Sequence, residues 1–469
     1  MKEWAEKYGD SGCFEIDMFG KRMVVVCRED RAAEVYAQRP FKVTRTANLR
    51  AAVDSVGGTG VFSAEGEQWK QERKLISTTL NRSNMKDYLT ILKGTATSLI
   101  QKWEVDAKES SASVVTVNQD LTHALADSVA KVFIGHDMGC LRNETSDVAS
   151  MAFRAFKAME ARMFTPIRYW NIPFIGQDID GYGKYFRKGM AAVSKIIDAF
   201  ELDRASAPTT HDGTPQSKLF LGKLYDAMEK ESSKLSRERV TGNIMTAFAA
   251  GTETTSSTLA TTLFLLASNV ELQSELRDHV KGFDLDEASF HDYYTKLPLL
   301  KSFLHEVHRF YTSLIQGLQT AADIPFCGTT LPKGSRVLII AWHVTLQKES
   351  PPKGVPAGLD NAPTTVFSPR RYLVPVDDDD SAGGQKWKCV DPITKGAAFL
   401  PFGHGVRSCP GRSYSEILSY SVLIKMLQTF KFELAPDHAP VKLIHGTVTA
   451  PDKDIQLKLT PINVLKEGQ

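Results

Sequence analysis

The sequence of 469 residues contains no apolar run of 18 residues, so no segment reads as a membrane span. It has no excess of either charge. Its 57 Lys and Arg face 55 Asp and Glu, which excludes the basic footprint of a nucleic-acid-binding domain. Its six cysteines, at 13, 27, 140, 327, 389 and 409, lie too far apart for a disulfide framework, and no C-x-x-C pair points to zinc. A reducing compartment is the simplest reading, and it makes the N-x-S/T triplets at Asn81 and Asn143 chance matches. No G-x-G-x-x-G dinucleotide turn occurs. The polar start, Met1 to Asp10, has no signal-peptide h-region. What is there is globular composition, 42% hydrophobic and 24% charged, in a chain long enough to enclose a ligand.

Periodicity predicts two short strands over 12–27, with a turn at Phe19-Gly20-Lys21, then mostly helix over 64–270. Loops are expected at Trp170 to Gly176, Ala207 to Ser217, 348–366 and the acidic run Asp377 to Asp380. Strand-like runs alternate with turns over 322–345, and a helix is expected from beyond Cys409 to about Phe430. No repeat or long linker divides the chain. The expectation is one domain over 1–469, mainly α with a smaller β portion.

The sharpest pattern is Phe402-Gly403-His404-Gly405-Val406-Arg407-Ser408-Cys409-Pro410-Gly411. Two glycines permit a tight turn with positive φ. Cys409 then precedes a helix whose N-terminal N–H groups and positive potential favour a thiolate. Arg407, two residues away, can pair with an anion. A cysteine alone would be an ordinary packing residue, but the ten residues together are a site for a charged sulfur ligand. They resemble the haem-binding signature F-x-x-G-x-R-x-C-x-G of the cytochrome P-450 superfamily, with Phe402, Arg407, Cys409 and Gly411 in its fixed places. The resemblance implies haem b, its iron held by Cys409.

Three further segments sustain the resemblance. A long helix from near Ser236 carries Ala250-Gly251-Thr252-Glu253-Thr254-Thr255 at its centre, where a glycine and a carboxylate break the local rules. It resembles the family's oxygen-activating motif. Gly251 would open a groove, Thr254 would bond bound oxygen and Glu253 would feed protons through water. Glu306 and Arg309 are an i,i+3 pair in the helical stretch Pro298 to Phe310. With Arg371 they resemble the family's E-x-x-R helix and its later arginine box, implying a structural clamp. Arg370 stands where that box has an acid. Trp69 and Arg73, one turn apart, resemble the W-x-x-x-R pair that grips a haem propionate, and Arg407 is the other propionate candidate. Many relatives have a further arginine before the next strand. Gln316-Gly317-Leu318-Gln319-Thr320 has none. Gln319 then either substitutes as a neutral donor or leaves one propionate less well held.

The resemblance implies the family's triangular fold, with haem between the Gly251 and Cys409 helices. The reaction implied is insertion of one atom of O2 into a C–H bond, with NADPH supplying electrons through a separate flavoprotein reductase. Lys70, Lys74, Lys386, Lys388 and Arg412 are candidate contacts for such an acidic partner. The walls expected from Phe153, Phe156, Met159, Met163, Phe164, Phe248 and Leu314 suit an apolar substrate, sterol or fatty acid first. The microsomal style of the motifs implies the cytosolic face of the endoplasmic reticulum membrane, with a native leader ahead of this sequence. Two other classes compete: a haem-thiolate isomerase or dehydratase acting on a lipid peroxide, and a haem sensor without turnover. Glu253 and Thr254 count against the first, and the Gly251–Thr254 groove against the second.

Overall fold

The computed structural model describes residues 2–462 other than 19, 111, 145, 166, 207–208, 210–212, 232–234, 313–314, 347–361, 377–385, 393–398, 437 and 446–447. Phe19, most of the 348–366 loop and the acidic run Asp377 to Asp380 therefore lie outside the described residues.

Helices dominate, and small sheets flank them. The longest helix, Arg237–Ala267, starts where Ser236 Oγ accepts from Arg239 N at 3.3 Å, satisfying one of the four unpaired N–H groups of its first turn. Val240, Ile244, Phe248, Leu259, Leu263 and Leu266 are all buried along it. They join one large core that also takes the inner faces of the helices Met85–Glu109, Val117–Ile134 and Arg412–Thr429. The helix Pro298–Phe310 begins with proline at its first position, where the missing N–H costs nothing. It is buried almost all round, charged residues included, so its polar groups must find partners inside.

The largest sheet has five strands in the order Cys13–Met18, Lys21–Val26, Arg336–Ile340, Ile315–Thr320 and Val43–Arg45. The first two form the expected hairpin. The second runs parallel to Arg336–Ile340, Val25 opposite Leu338. At the far edge Val43–Arg45 lies antiparallel to Ile315–Thr320, with Arg45 opposite Leu318. That edge strand pairs with residues some 275 positions away and brings an arginine into the interior.

The run 322–345 holds two short strands and the sheet strand Arg336–Ile340, as expected, but ends in a short helix, Ala341–Thr345. The buried alternation of the strand simply continues into a turn of helix there. The segment 57–62 is pinned onto the long helix. Arg239 Nη2 donates to Gly60 O at 3.2 Å and Val61 N to Asn243 Oδ1 at 2.8 Å. A Cβ on Gly242 would stand 1.9 Å from Thr59 O, so only glycine lets the loop lie this close.

Candidate active site

The loop before the helix Arg412–Thr429 turns as its glycines suggest. Gly403 and Gly405 sit at φ +69° and +66°, which costs a residue with a Cβ about 1–2 kcal/mol. The turn closes with Cys409 N donating to Phe402 O at 2.7 Å. The Cys409 sulfur is open to an internal cavity of about 410 Å³, yet lies deep in protein. Burial pushes its thiol pKa up. The N–H of Gly411, the Arg73 guanidinium and the N–H of Arg412 pull it back without cancelling that rise. The expected donors are thus in place, but they do not ionise the sulfur by themselves. A bound metal ion would, since coordination deprotonates a thiol.

Across the cavity runs the centre of the long helix. Gly251 and Thr254 line the wall. A Cβ on Gly251 would stand 3.2 Å from Val129 Cγ2, so the glycine also lets the Val117–Ile134 helix approach. Thr254 Oγ1 donates to Ala250 O at 2.5 Å, which leaves its lone pairs facing the cavity. Glu253 is not on the wall. It points toward Lys157 and Glu160, and burial raises its pKa, with Lys157 opposing. One turn beyond Gly251, Thr255 Oγ1 donates to Ser415 Oγ at 3.1 Å, tying this helix to the cysteine helix.

Behind the loop, Glu306 is fully buried between two guanidiniums. Arg309 donates to it through Nε (2.8 Å) and Nη2 (2.7 Å), and Arg371 Nε sits 3.1 Å from both oxygens. Ser368 N adds a fourth donor group at 2.8 Å. The remaining guanidinium N–H groups donate to backbone oxygens of Thr345, Thr364, Ala362, Pro363 and Val366. These carbonyls take up the second positive charge, so no second acid is needed. Arg370 turns away and pairs with Glu275. The clamp reaches the loop through rings. Tyr372 meets Phe399 edge-on, and the neutral His308, its pKa lowered to about 3 by burial, meets Phe402 at 4.9 Å.

At one rim of the cavity the Arg407 guanidinium lies 4.4 Å over the Trp69 ring. Arg407 Nη2 bonds Ala64 O at 2.8 Å and Glu65, while its Nε and Nη1 are buried without a partner. Arg73 lines the same rim. Gln319 does not: its Nε2 donates to Gly334 O at the sheet edge. Arg45, which no motif marked, does line the cavity.

The expected wall needs correction. Phe156 and Met159 line it, but Phe153 stacks on His123, Phe248 belongs to the main core, and Met163 is not among the lining residues. The side chain of Phe164 and Leu314 lie outside the described residues. Val53, Val61, Phe62, Met245 and Ala249 supply apolar wall instead. Of the cations expected to meet a partner, Lys70 lies 3.8 Å from Glu67, Lys74 pairs with Glu231, and Arg412, largely buried, bridges Asp391 and Glu416.

The sequence profile of the Cytochrome P450 family matches residues 1–459. The chain belongs to the cytochrome P450 family. It is 23% identical to the cytochrome P450 monooxygenase claP of Ampulloclitocybe clavipes, over 94% of this chain and 83% of that protein. It is 24% identical to the cytochrome P450 monooxygenase sphH of Aspergillus fumigatus, over 98% and 83%. It is likewise 24% identical to the mouse mitochondrial sterol 26-hydroxylase, over 85% and 72%. The protein is accordingly an oxidoreductase of the monooxygenase class with the mainly helical P450 fold, and membership implies haem b.

The residues fit that group. Among the described residues no three His, Cys, Asp or Glu side chains converge on a point. A lone cysteine can hold iron only if the other ligands arrive with it, as they do in a porphyrin. Unpartnered buried guanidinium nitrogens on Arg45 and Arg407 face a cavity with apolar walls, which suits a flat apolar ring carrying carboxylates.

Glu306→Gln leaves two buried guanidiniums facing a neutral amide, a loss of about 3–5 kcal/mol. Purified E306Q should contain little or no haem and unfold at lower temperature. A normal haem yield would reduce the clamp to packing.

Proposed function

We propose that the enzyme inserts one atom of O2 into a C–H bond of an apolar substrate, sterols and fatty acids first, with electrons from NADPH through a separate flavoprotein reductase. The observation that carries this reading is the cavity itself. Cys409 stands on one side, Gly251 and Thr254 on the other, with aliphatic and aromatic wall around them. The sterol named for one relative supports the substrate class. Bound haem supplies O2 binding and O–O cleavage, which electron donation from a cysteine thiolate favours.

The chain's own residues do the rest. The apolar wall excludes water and orients a substrate by burial alone. Thr254 Oγ1 offers an acceptor that can hold a water, and it becomes a donor if it releases Ala250 O. Glu253, on the outer side of the helix with its pKa raised by burial, can carry a proton at a pH where an ordinary carboxyl could not.

The native location we propose is the cytosolic face of the endoplasmic reticulum membrane. Among the described residues no helix is long and apolar enough to cross a membrane. The segment 167–179, however, exposes Ile167, Ile172, Phe174, Ile175 and Ile179, with Phe174 fully in solvent. Such a cluster favours an interface over bulk water. Binding of the purified chain to vesicles of zwitterionic lipid, read by flotation, should fall when Phe174 and Ile175 become serine. Equal flotation of the variant would remove this segment from the contact.

Titration of the purified holoenzyme with a sterol and fatty-acid panel should show spectral displacement of water for at least one member. With reductase and NADPH, that member should be hydroxylated. NADPH use without any oxygenated product from the panel would overturn the substrate class. In Thr254→Ala, peroxide released per NADPH should rise several-fold while product falls. Unchanged coupling would take Thr254 out of proton delivery.

A further inference from the structure

The cysteines are scattered along the sequence, yet the fold brings two of them, from opposite ends of the chain, to one place. Cys13 opens the outer strand Cys13–Met18 of the largest sheet. Cys327 sits in the turn between the short strands Ile324–Phe326 and Thr329–Leu331. Both are partly exposed thiols, and both pack on the small core that includes Val26, Val35, Ile324 and Phe326. Their side chains stand within hydrogen-bonding reach of each other. Burial raises the Cys13 thiol pKa and the Ser11 hydroxyl opposes it; the Cys327 sulfur adds to the rise, and the Arg31 guanidinium pulls the other way.

The turn around Cys327 is not one that cysteine favours. Phe326 pairs with Thr329, leaving Cys327 and Gly328 as a two-residue connection. Both sit at positive φ, +53° and +73°. Such a turn favours Asn or Asp before its glycine, and a side chain with a Cβ is strained there. Local rules break in this way where a side chain serves something besides folding. The backbone beside each sulfur is also held. Cys327 N donates to Glu34 Oε2 at 2.7 Å. Arg31 pairs with the other oxygen of Glu34, and its Nε donates to Ser11 O at 3.2 Å. Ser11 Oγ in turn donates to Cys13 O at 2.8 Å. One turn of the helix Glu29–Ala37 thus clips the chain next to both cysteines. Cys27, the third thiol of this neighbourhood, is placed differently. Strand pairing sets Cys13 opposite Val26, so alternation turns Cys27 to the other side. There its Sγ donates to Gly9 O at 3.9 Å, and burial lifts its pKa to about 11.

We propose that Cys13 and Cys327 form a reversible disulfide, a modification site that takes glutathione disulfide as its oxidant. One protein thiolate attacks glutathione disulfide, which releases one glutathione and leaves a mixed disulfide on the protein. The second protein thiolate attacks the protein sulfur of that adduct, and the second glutathione leaves. Two protein thiols are oxidised, one glutathione disulfide is reduced, and the two protons end on the two glutathiones. At a reducing poise the pair stays as two thiols. The bond straps the outer hairpin of the largest sheet to the Cys327 turn. That same sheet carries Arg45 and Gln316 to the cavity wall.

The test incubates the purified holoenzyme with glutathione disulfide, blocks the remaining thiols with iodoacetamide and maps its peptides by mass spectrometry without reductant. A peptide pair joined through Cys13 and Cys327 should appear, and should vanish with dithiothreitol. C27S should form it as fast as wild type. C13S and C327S should each keep a glutathione adduct on the cysteine that remains. The linked form should unfold several degrees above the reduced form, a rise absent from C13S. The wild-type map decides the proposal even where a variant fails to fold. Stable glutathione adducts on both cysteines, a link from Cys13 to Cys27 instead, or two unmodified thiols would each overturn it. A Cys13–Cys327 link that leaves the unfolding temperature unchanged would contradict the strap.

Discussion

A carboxylate wholly out of water, held between two guanidiniums, is what the cysteine loop rests on. Glu306 accepts four side-chain contacts from Arg309 and Arg371 and one backbone N–H. Burying three charges together is costly in itself, and such groups are rarely a net source of stability. Their effect here is positional. The carbonyls of 345 and of 362–366 that complete the network fix the chain leading to Tyr372. Tyr372, Phe399, His308 and Phe402 carry that order by ring contact to the turn closed by Cys409 N and Phe402 O. A thiol can be aimed across a cavity only if the backbone around it cannot give.

Two sets of buried arginines thus serve opposite ends. Those at Glu306 are saturated and hold protein to protein. Those at the rim near Glu65 are under-satisfied and hold a place for something else. The comparison separates structure from binding without reference to sequence motifs, because saturation is a property of the folded network. The cysteine helix belongs to both. Its first turn lends N–H groups to the sulfur. Its Arg412 and Glu416 form a further buried pair, in which His305 and Arg412 outweigh burial and hold the Glu416 carboxyl at about 2.

Much of this was legible in the residues, for physical reasons. The Pro298–Phe310 helix announces itself by a proline at its first position and apolar flanks. The loop glycines announce positive φ. Glu306, Arg309 and Arg371 follow from a local spacing and a nearby box. What failed was everything decided by tertiary placement. Phe153 and Phe248 have the same apolar character as Phe156, and helical period cannot tell a face that meets core from one that meets a cavity. Arg45 sits in a three-residue edge strand, and only pairing with a partner far along the chain puts it at the rim. The burial of Glu253 away from the cavity wall has the same origin, in the packing of the helix Asp147–Phe164.

The central claim is a bond from Cys409 to iron in a porphyrin. The most direct measurement is the absorption spectrum of the reduced carbon monoxide complex of the purified chain, supplied with haemin where needed, beside that of Cys409→Ser. The account predicts a thiolate-type spectrum for the wild type and its loss in C409S. A chain that stays colourless, or two identical spectra, would contradict it.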